Sequence, residues 1–351
     1  MKNINIIGID LAKNIFQLHG AYPDGSVAFR KRVTRKKLLP FLEKQPSCLV
    51  AMEACGGSHH WAREIRKLGH RVHILPPAYV KPFRKRHKND VADAEAISEA
   101  ASRPTMRVVS VKTEEQQARA MLFRVRDLLV RQRTQTINAL RGLLAEFGLV
   151  AAKGRANVKT LEAILADREE PKVPGLSWEM ADLLMGQIRE FDARIDALDS
   201  QAQAAAREDE TIRRLRTIPG VGPVTGLAFL AFAPDMEDFK CGRDFAAWLG
   251  LVPEQRSSAG KERLGKVSKM GQRDLRRLLV SGAMTVIIGT RRSDKEPDPW
   301  LQRLLERKPP IKAAIALANK MARIMWALLI KGEDYRRGLD IQAAGMQTAG
   351  A

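Results

Sequence analysis

Four carboxylates and a pair of serines are the residues of this chain whose types and spacing suit chemistry. Asp10 closes the run Ile6-Ile7-Gly8-Ile9-Asp10, and Glu53 closes Leu49-Val50-Ala51-Met52-Glu53. Asp90 and Asp93 fall in Lys88-Asn89-Asp90-Val91-Ala92-Asp93-Ala94, and the serines in Ser257-Ser258-Ala259-Gly260-Lys261. Acids ending two buried strands project at one sheet edge if the strands are parallel neighbours. Asp90 and Asp93 share one face if they open a helix. Like charges so placed repel unless a cation lies between them. Mg²⁺ answers that need: it is hard, and takes carboxylates, water and phosphate oxygens as ligands. Two such ions, with Mn²⁺ able to substitute, serve phosphoryl transfer by activating the nucleophile and stabilising the leaving oxygen. A serine among cations is a candidate nucleophile at phosphorus. Each acid alone also reads as a solvated surface residue, and each serine as an ordinary loop residue. The combination of acids carries the reading.

Composition says what such a site would act on. The 351 residues include 60 Lys and Arg against 40 Asp and Glu, a formal net charge of +20, with 45% hydrophobic residues. That length allows two or three domains with cores of their own. The field attracts polyanions and favours DNA or RNA as partner. No apolar run approaches the roughly 20 residues of a spanning helix, so no membrane partner is expected. No leader is recognised before the first strand-like run, and a cytoplasmic, nucleoid-associated protein is expected. Cys48, Cys55 and Cys241 are odd in number and form no Cys-x-x-Cys, against a disulfide framework or a structural zinc site. His59 and His60 read as structural for want of a spaced third ligand.

Cations cluster where phosphates would be met. Five of the eight residues Lys81 to Lys88 are Lys or Arg. Among them Lys85, Arg86 and Lys88 are expected phosphate contacts, with Lys88 near the scissile group. Gly56-Gly57 after Glu53 permits close backbone approach. Ile218-Pro219-Gly220-Val221-Gly222-Pro223 resembles a helix-hairpin-helix, in which Gly220 and Gly222 form a turn whose N–H groups face a phosphate without reading bases. An ordinary helix–helix turn is the other reading. Glu254 to Arg277 holds eight Lys or Arg against three acids. Lys261, Lys266, Lys269 and Arg273 there are expected nucleic-acid contacts.

The elements needed to position these residues follow from periodicity. Residues 4–9, 16–20, 27–33, 49–52 and 71–75 read as strands, with helices at 35–44, 61–68 and from Asp90. This is an α/β layer with a mixed sheet over 1–110. Thr113 with Gln116 suits a capping box, and helical spacing then runs to Gly148. Residues 150–175 read as a connection. Leu184, Ile188, Phe191, Ile195 and Leu198 follow heptad spacing, which predicts an antiparallel coiled coil or a bundle over 111–210. The segment 211–332 is mainly helical, with loops near 234–243, 252–268 and 293–299, and 333–351 reads as a polar tail expected to be disordered.

Six motifs occur in order: Gly8-Ile9-Asp10-Leu11-Ala12-Lys13, Met52-Glu53-Ala54-Cys55-Gly56, Lys88-Asn89-Asp90-Val91-Ala92-Asp93-Ala94, Ile218-Pro219-Gly220-Val221-Gly222, Gly250-Leu251-Val252-Pro253 and Lys269-Met270-Gly271-Gln272-Arg273-Asp274-Leu275-Arg276. Together they resemble the DEDD transposases of the insertion-sequence family numbered one hundred and ten, in its eleven-eleven branch, with the Piv-type DNA invertases as relatives. The resemblance covers roughly residues 4–100 and 211–330. It implies an RNase H-like (RuvC-like) domain with Asp10, Glu53, Asp90 and Asp93 as the metal-binding acids, and a C-terminal transposase domain with a serine nucleophile. It also implies a structured non-coding guide RNA from the element, donor and target DNA, and a homo-oligomer, dimer or tetramer. Many members read Ser-Gly at the nucleophile, whereas this chain reads Ser258-Ala259-Gly260; Ser258 is the expected nucleophile and Ser257 the fallback. The rival expectations are a hydrolytic nuclease, such as a junction resolvase using the same acids and water, and a non-catalytic nucleic-acid-binding protein.

Overall fold

The computed structural model describes residues 3–85, 89–167, 173–257, 263–292 and 298–336. The chain divides into two compact units, the first ending at Glu115 and the second beginning at Gln116.

The first unit is built on a five-stranded sheet. Its strands are β1 (Ile6–Asp10), β2 (Ile15–Ala21), β3 (Val27–Thr34), β4 (Leu49–Glu53) and β5 (Arg71–Leu75), in the order β3-β2-β1-β4-β5. The strands β1 to β3 form an antiparallel meander, while β4 and β5 run parallel to β1. The expected mixed α/β layer is therefore present. The helices are α1 (Leu38–Glu43), α2 (Ser58–Lys67), the single turn α3 (Pro77–Val80) and α4 (Asp90–Ala101). Strand parity sorts the two faces. Ile7, Ile9, Val50 and Met52 pack in one apolar cluster with Leu38, Leu42, Trp61 and Ile65 of α1 and α2. Ile6, Leu49 and Ala51 pack in another with Val80, Ala96, Ile97 and Ala100 of α3 and α4. Gly8 lets α4 come in close, because a Cβ there would lie 2.4 Å from the Ala94 carbonyl oxygen.

The second unit is mainly helical. It comprises α5 (Glu114–Ala145, beginning in the last residues of the first unit), α6 (Val158–Asp167), α7 (Gly175–Glu208), α8 (Glu210–Arg216), α9 (Pro223–Phe232) and α10 (Gly242–Trp248). A hairpin of β6 (Pro253–Gln255) and β7 (Leu264–Val267) follows, then α11 (Arg273–Arg292), α12 (Pro299–Arg307) and α13 (Pro310–Lys331). Two features were not expected. The connection over 150–175 contains α6, whose Leu161 and Leu165 are buried beside Ile188 and Met185 of α7. The segment 252–268 contains a hairpin, not only loop.

The helices α5 and α7 lie antiparallel. Arg126 pairs with Asp199 and Arg133 with Asp192, so partners descend along one helix as they ascend the other. The buried stripe of α7 is Trp178, Ala181, Met185, Ile188, Ile195, Ala202 and Ala206. Its two missing heptad positions are Asp192 and Asp199, which meet those arginines. The expected stripe shares Ile188 and Ile195 with this face, while Leu184, Phe191 and Leu198 flank it half-buried.

The C-terminal core gathers α8 to α13 with the first turns of α5, where Phe123 meets Phe232 edge to face at 5.2 Å between ring centroids. The helix α13 is 22 residues long with a mean hydropathy of 1.5 over its best window. By length and composition it could cross a membrane, which corrects the expectation that no apolar run is long enough. Yet Ala313, Ala314, Ala318, Met321, Ala322 and Met325 are buried in this core, and Lys320 and Arg323 interrupt the run.

Candidate active site

Sheet parity assigns the first two acids. Asp10 has the parity of Ile6 and Gly8, and Glu53 that of Leu49 and Ala51, so both carboxylates leave the sheet on the α4 side. Because Ile9 pairs with Met52 in parallel register, Asp10 and Glu53 end neighbouring strands at the same edge. The helix α4 opens beneath them. Asn89 caps it, its side-chain oxygen accepting from the Ala92 N–H at 2.8 Å, and Asp90 and Asp93 fill its first turn. Acids are favoured there by the helix dipole and by free backbone N–H groups. Close packing of α4 on Gly8 then carries Asp93 toward the strand ends.

Asp10 feels the charges of the other three acids. The Asp10 carboxyl is raised from 3.8 to about 6, chiefly by burial, then by the charges of Asp93, Asp90 and Glu53, against the lowering effect of Arg84. That arginine is the residue the sequence did not disclose. Its Nη2 donates to Glu53 Oε2 at 3.0 Å, and its Nε lies 3.0 Å from Asp93 Oδ1. The second contact is an ion pair without hydrogen-bond alignment, since neither Arg84 Nε nor Asp93 Oδ1, both buried atoms, has a hydrogen-bond partner. Neighbouring Lys85, an expected phosphate contact, pairs with Glu95, which also receives Arg30 at 3.1 Å.

The donor set, four carboxylates and one of their oxygens buried without a hydrogen bond, fits a hard divalent cation. Among the described residues, however, no three His, Cys, Asp or Glu side chains converge closely enough as they stand to ligate one ion. Nearby Cys55 is not a soft alternative: burial, with Glu53 and Asp10, raises its thiol. His59 makes a structural contact, its Nδ1 accepting from the Lys112 N–H at 3.2 Å.

The second candidate region is the β6–β7 hairpin. Ser257 follows β6, is exposed, and its Oγ accepts from the Arg263 N–H at 3.3 Å. Ser258 and Lys261 lie outside the described residues, as do Arg86, Lys88 and 337–351 of the expected tail. The hairpin base is clasped by backbone. Ser268 N–H donates to Val252 O at 2.9 Å, Lys269 N–H to Gly250 O at 3.2 Å, and Gln272 N–H to Trp248 O at 3.2 Å. A Cβ on Gly271 would lie 1.9 Å from Trp248 O, and Gly271 has φ +131°. The motifs Gly250-Leu251-Val252-Pro253 and Lys269-Met270-Gly271 are thus two halves of one clasp. Lys266, Lys269 and Arg273 are exposed around it.

Gly220 (φ +87°) faces packing: a Cβ there would lie 2.7 Å from Gly282 O of α11. Gly222 is open on its Cβ side and precedes α9.

Comparison with known proteins defines the class. Residues 7–148 match a family described as "Transposase", of the IS110 DEDD type. The chain is a transposase, an enzyme of DNA strand transfer, and the matched domain implies an RNase H-like fold and use of a divalent metal. Residues 212–297 match the "Transposase IS116/IS110/IS902 family". The chain is 40% identical over 339 residues to the transposase for insertion sequence element IS1111A of Coxiella burnetii, covering 96% of this chain and 93% of that protein. It is 40% identical over 337 residues to the transposase for IS1328 of Yersinia enterocolitica, covering 96% and 100%. A "Probable family 20 transposase" of Pseudomonas aeruginosa is 47% identical over 338 residues, 96% of this chain and 100% of the relative. The chain belongs to the IS110 family of insertion-sequence transposases.

Proposed function

We propose that this transposase cuts and rejoins DNA through a serine nucleophile, with Asp10, Glu53, Asp90 and Asp93 as the metal-holding acids. The observation that carries the reading is the meeting of acids from β1, β4 and α4 at one sheet edge, where burial and mutual repulsion raise Asp10 to about 6. Bound divalent metal, Mg²⁺ or Mn²⁺ and in our reading two ions, supplies charge neutralisation and Lewis acidity at a phosphate. The protein's part is to fix the acids: strand ends hold Asp10 and Glu53, and the capped first turn of α4 holds Asp90 and Asp93.

Ser258, with Ser257 as fallback, attacks the scissile phosphorus. A serine O–P bond forms, the P–O bond to the leaving strand breaks, the serine proton passes to solvent, and the leaving oxygen takes one up. A hydroxyl of a different strand reverses the step and rejoins the DNA, so bond energy is conserved. Lys85, Lys266, Lys269 and Arg273, with Arg86, Lys88 and Lys261, contact phosphates. Gly222 offers the open side of a helix-hairpin-helix, with Gly220 as its packed side. Family resemblance adds a guide RNA from the element, DNA location in the nucleoid, and a homo-oligomer joined through a coiled coil of α5 and α7. We read residues 1–110, 111–210 and 211–332 as catalytic, connecting and serine-bearing segments.

The test is strand exchange by purified protein with the element RNA, DNA and Mg²⁺, scoring covalent protein–DNA adducts. Wild type forms adducts, and Ser258→Ala neither forms them nor cuts. Adducts persisting in Ser258→Ala and lost in Ser257→Ala transfer the role to Ser257. Cleavage without adducts in every protein replaces the reading with a water-using nuclease on the same acids. Omission of the RNA abolishes exchange if guidance is correct.

A further inference from the structure

Two of the acids are bridged by a cation that the chain itself supplies. One guanidinium reaches Glu53 from β4 and Asp93 from α4, at 3.0 Å each. Arg–carboxylate pairs are frequently bidentate, with two aligned hydrogen bonds. Here only the Glu53 contact is aligned, and the buried Nε and Asp93 Oδ1 face each other unsatisfied. Unsatisfied buried polar atoms are costly, so this is a contact poised for exchange. Arg84 is also placed to move. It follows a single 3-10 turn (Lys81–Phe83) in extended backbone, and its side chain is 30% exposed. Lys85, the next cation along the chain, pairs with Glu95 and with neither Glu53 nor Asp93.

We propose that Arg84 is a built-in competitor for the divalent metal: in the metal-free protein its guanidinium stands in for the ion between Glu53 and Asp93, and it must leave before the acids converge. This rests on the metal reading of the four acids given above. Arg84 lies between two of the four acids, 3.0 Å from a carboxylate oxygen of each. A competitor lowers apparent affinity by the fraction of protein in which the site is free. The acids then repel one another less before metal arrives, and the site binds metal less readily until Arg84 is drawn off. A phosphate of incoming DNA is an anion able to draw it.

The experiment is Mn²⁺ titration of the full-length protein without nucleic acid, followed by electron paramagnetic resonance of free Mn²⁺, with melting curves in parallel. Arg84→Gln is expected to bind Mn²⁺ about tenfold more tightly than wild type. Its metal-free melting temperature is expected to fall, and its rise on adding Mn²⁺ to grow. Arg84→Lys, which keeps a charge but cannot span both acids, falls between the two, and carries the test if Arg84→Gln does not fold. Unchanged or weaker Mn²⁺ binding by the folded variants overturns the competitor role while leaving the acids as a metal site. If wild type and variants alike bind no Mn²⁺, both the competitor role and the metal reading fall.

Discussion

The acid edge of the first unit and the serine hairpin of the second are built by opposite means. Asp10 and Glu53 end buried strands, and Asp93 stands on a helix packed against the same sheet, so the acids are positioned by the core. Ser257 follows the exposed strand β6 of a hairpin whose base is clasped by backbone contacts around Gly250 and Gly271. In the first region the side chains proposed to do chemistry share their supports with folding. In the second the clasp is structural, while the side chains of Ser257, Lys266, Lys269 and Arg273 are exposed. Substitutions should therefore separate stability from function in the hairpin, and mix them at the acid edge.

The largest expected effect tests the acids themselves. Glu53→Gln or Asp93→Asn should lower strand exchange by about a thousandfold, by analogy with removal of one preorganised electrostatic group, in a protein that still melts cooperatively. Activity within tenfold of wild type would remove the residue from the site. Next come the supports. Gly8→Ala sets a Cβ 2.4 Å from Ala94 O, and Gly271→Ala sets one 1.9 Å from Trp248 O in a left-handed backbone. Each should cost roughly 3 kcal/mol or more in denaturant unfolding. Gly8→Ala should also weaken Mn²⁺ binding and Gly271→Ala should not; equal Mn²⁺ affinity in both would erase the contrast.

A smaller effect depends on pH. The folded-state value of Asp10 is raised, so the folded chain holds its proton more tightly than the unfolded chain does, and stability falls as pH rises from about 4 to about 6. In metal-free protein at pH 7, Asp10→Asn should be more stable than wild type, by on the order of 1 kcal/mol after allowing for solvent screening. The gain should vanish below pH 4. A gain independent of pH would point to another cause. The smallest effect belongs to the hairpin cations. Lys266→Ala and Arg273→Ala should each weaken DNA binding a few-fold whatever the sequence, and reduce the salt dependence by about one phosphate contact, with melting unchanged.

The sequence made the acid edge legible because every determinant is local. An acid closing a short apolar run marks a strand end, and Asn89 before Asp90 marks a helix start. Parallel pairing of β1 with β4 then follows from the layer. Arg84 carried no such mark: it sits in a run of cations, and its pairing with Glu53 and Asp93 exists only after folding. The hairpin was hidden because β6 has three residues and β7 only four, with Glu254, Arg256 and Lys266 among and beside them. The buried stripe of α7 departs from the apolar heptad of its sequence because two of its inward positions are aspartates. Gly250 and Gly271 were visible as motif residues, but their partnership spans a hairpin that periodicity does not detect.

Those aspartates have a consequence for measurement along the helices. Asp192 and Asp199 meet Arg133 and Arg126 one heptad apart. An apolar seam tolerates sliding by a heptad, since one methyl-lined hole resembles the next. Two charged rungs do not, because a slip strands at least one ion against hydrocarbon. With α5 at 32 residues and α7 at 34, each about 50 Å long at ~1.5 Å per residue, the pair is a ruler with two engraved marks. Its register is set by charge rather than by the greasy surface that holds it together.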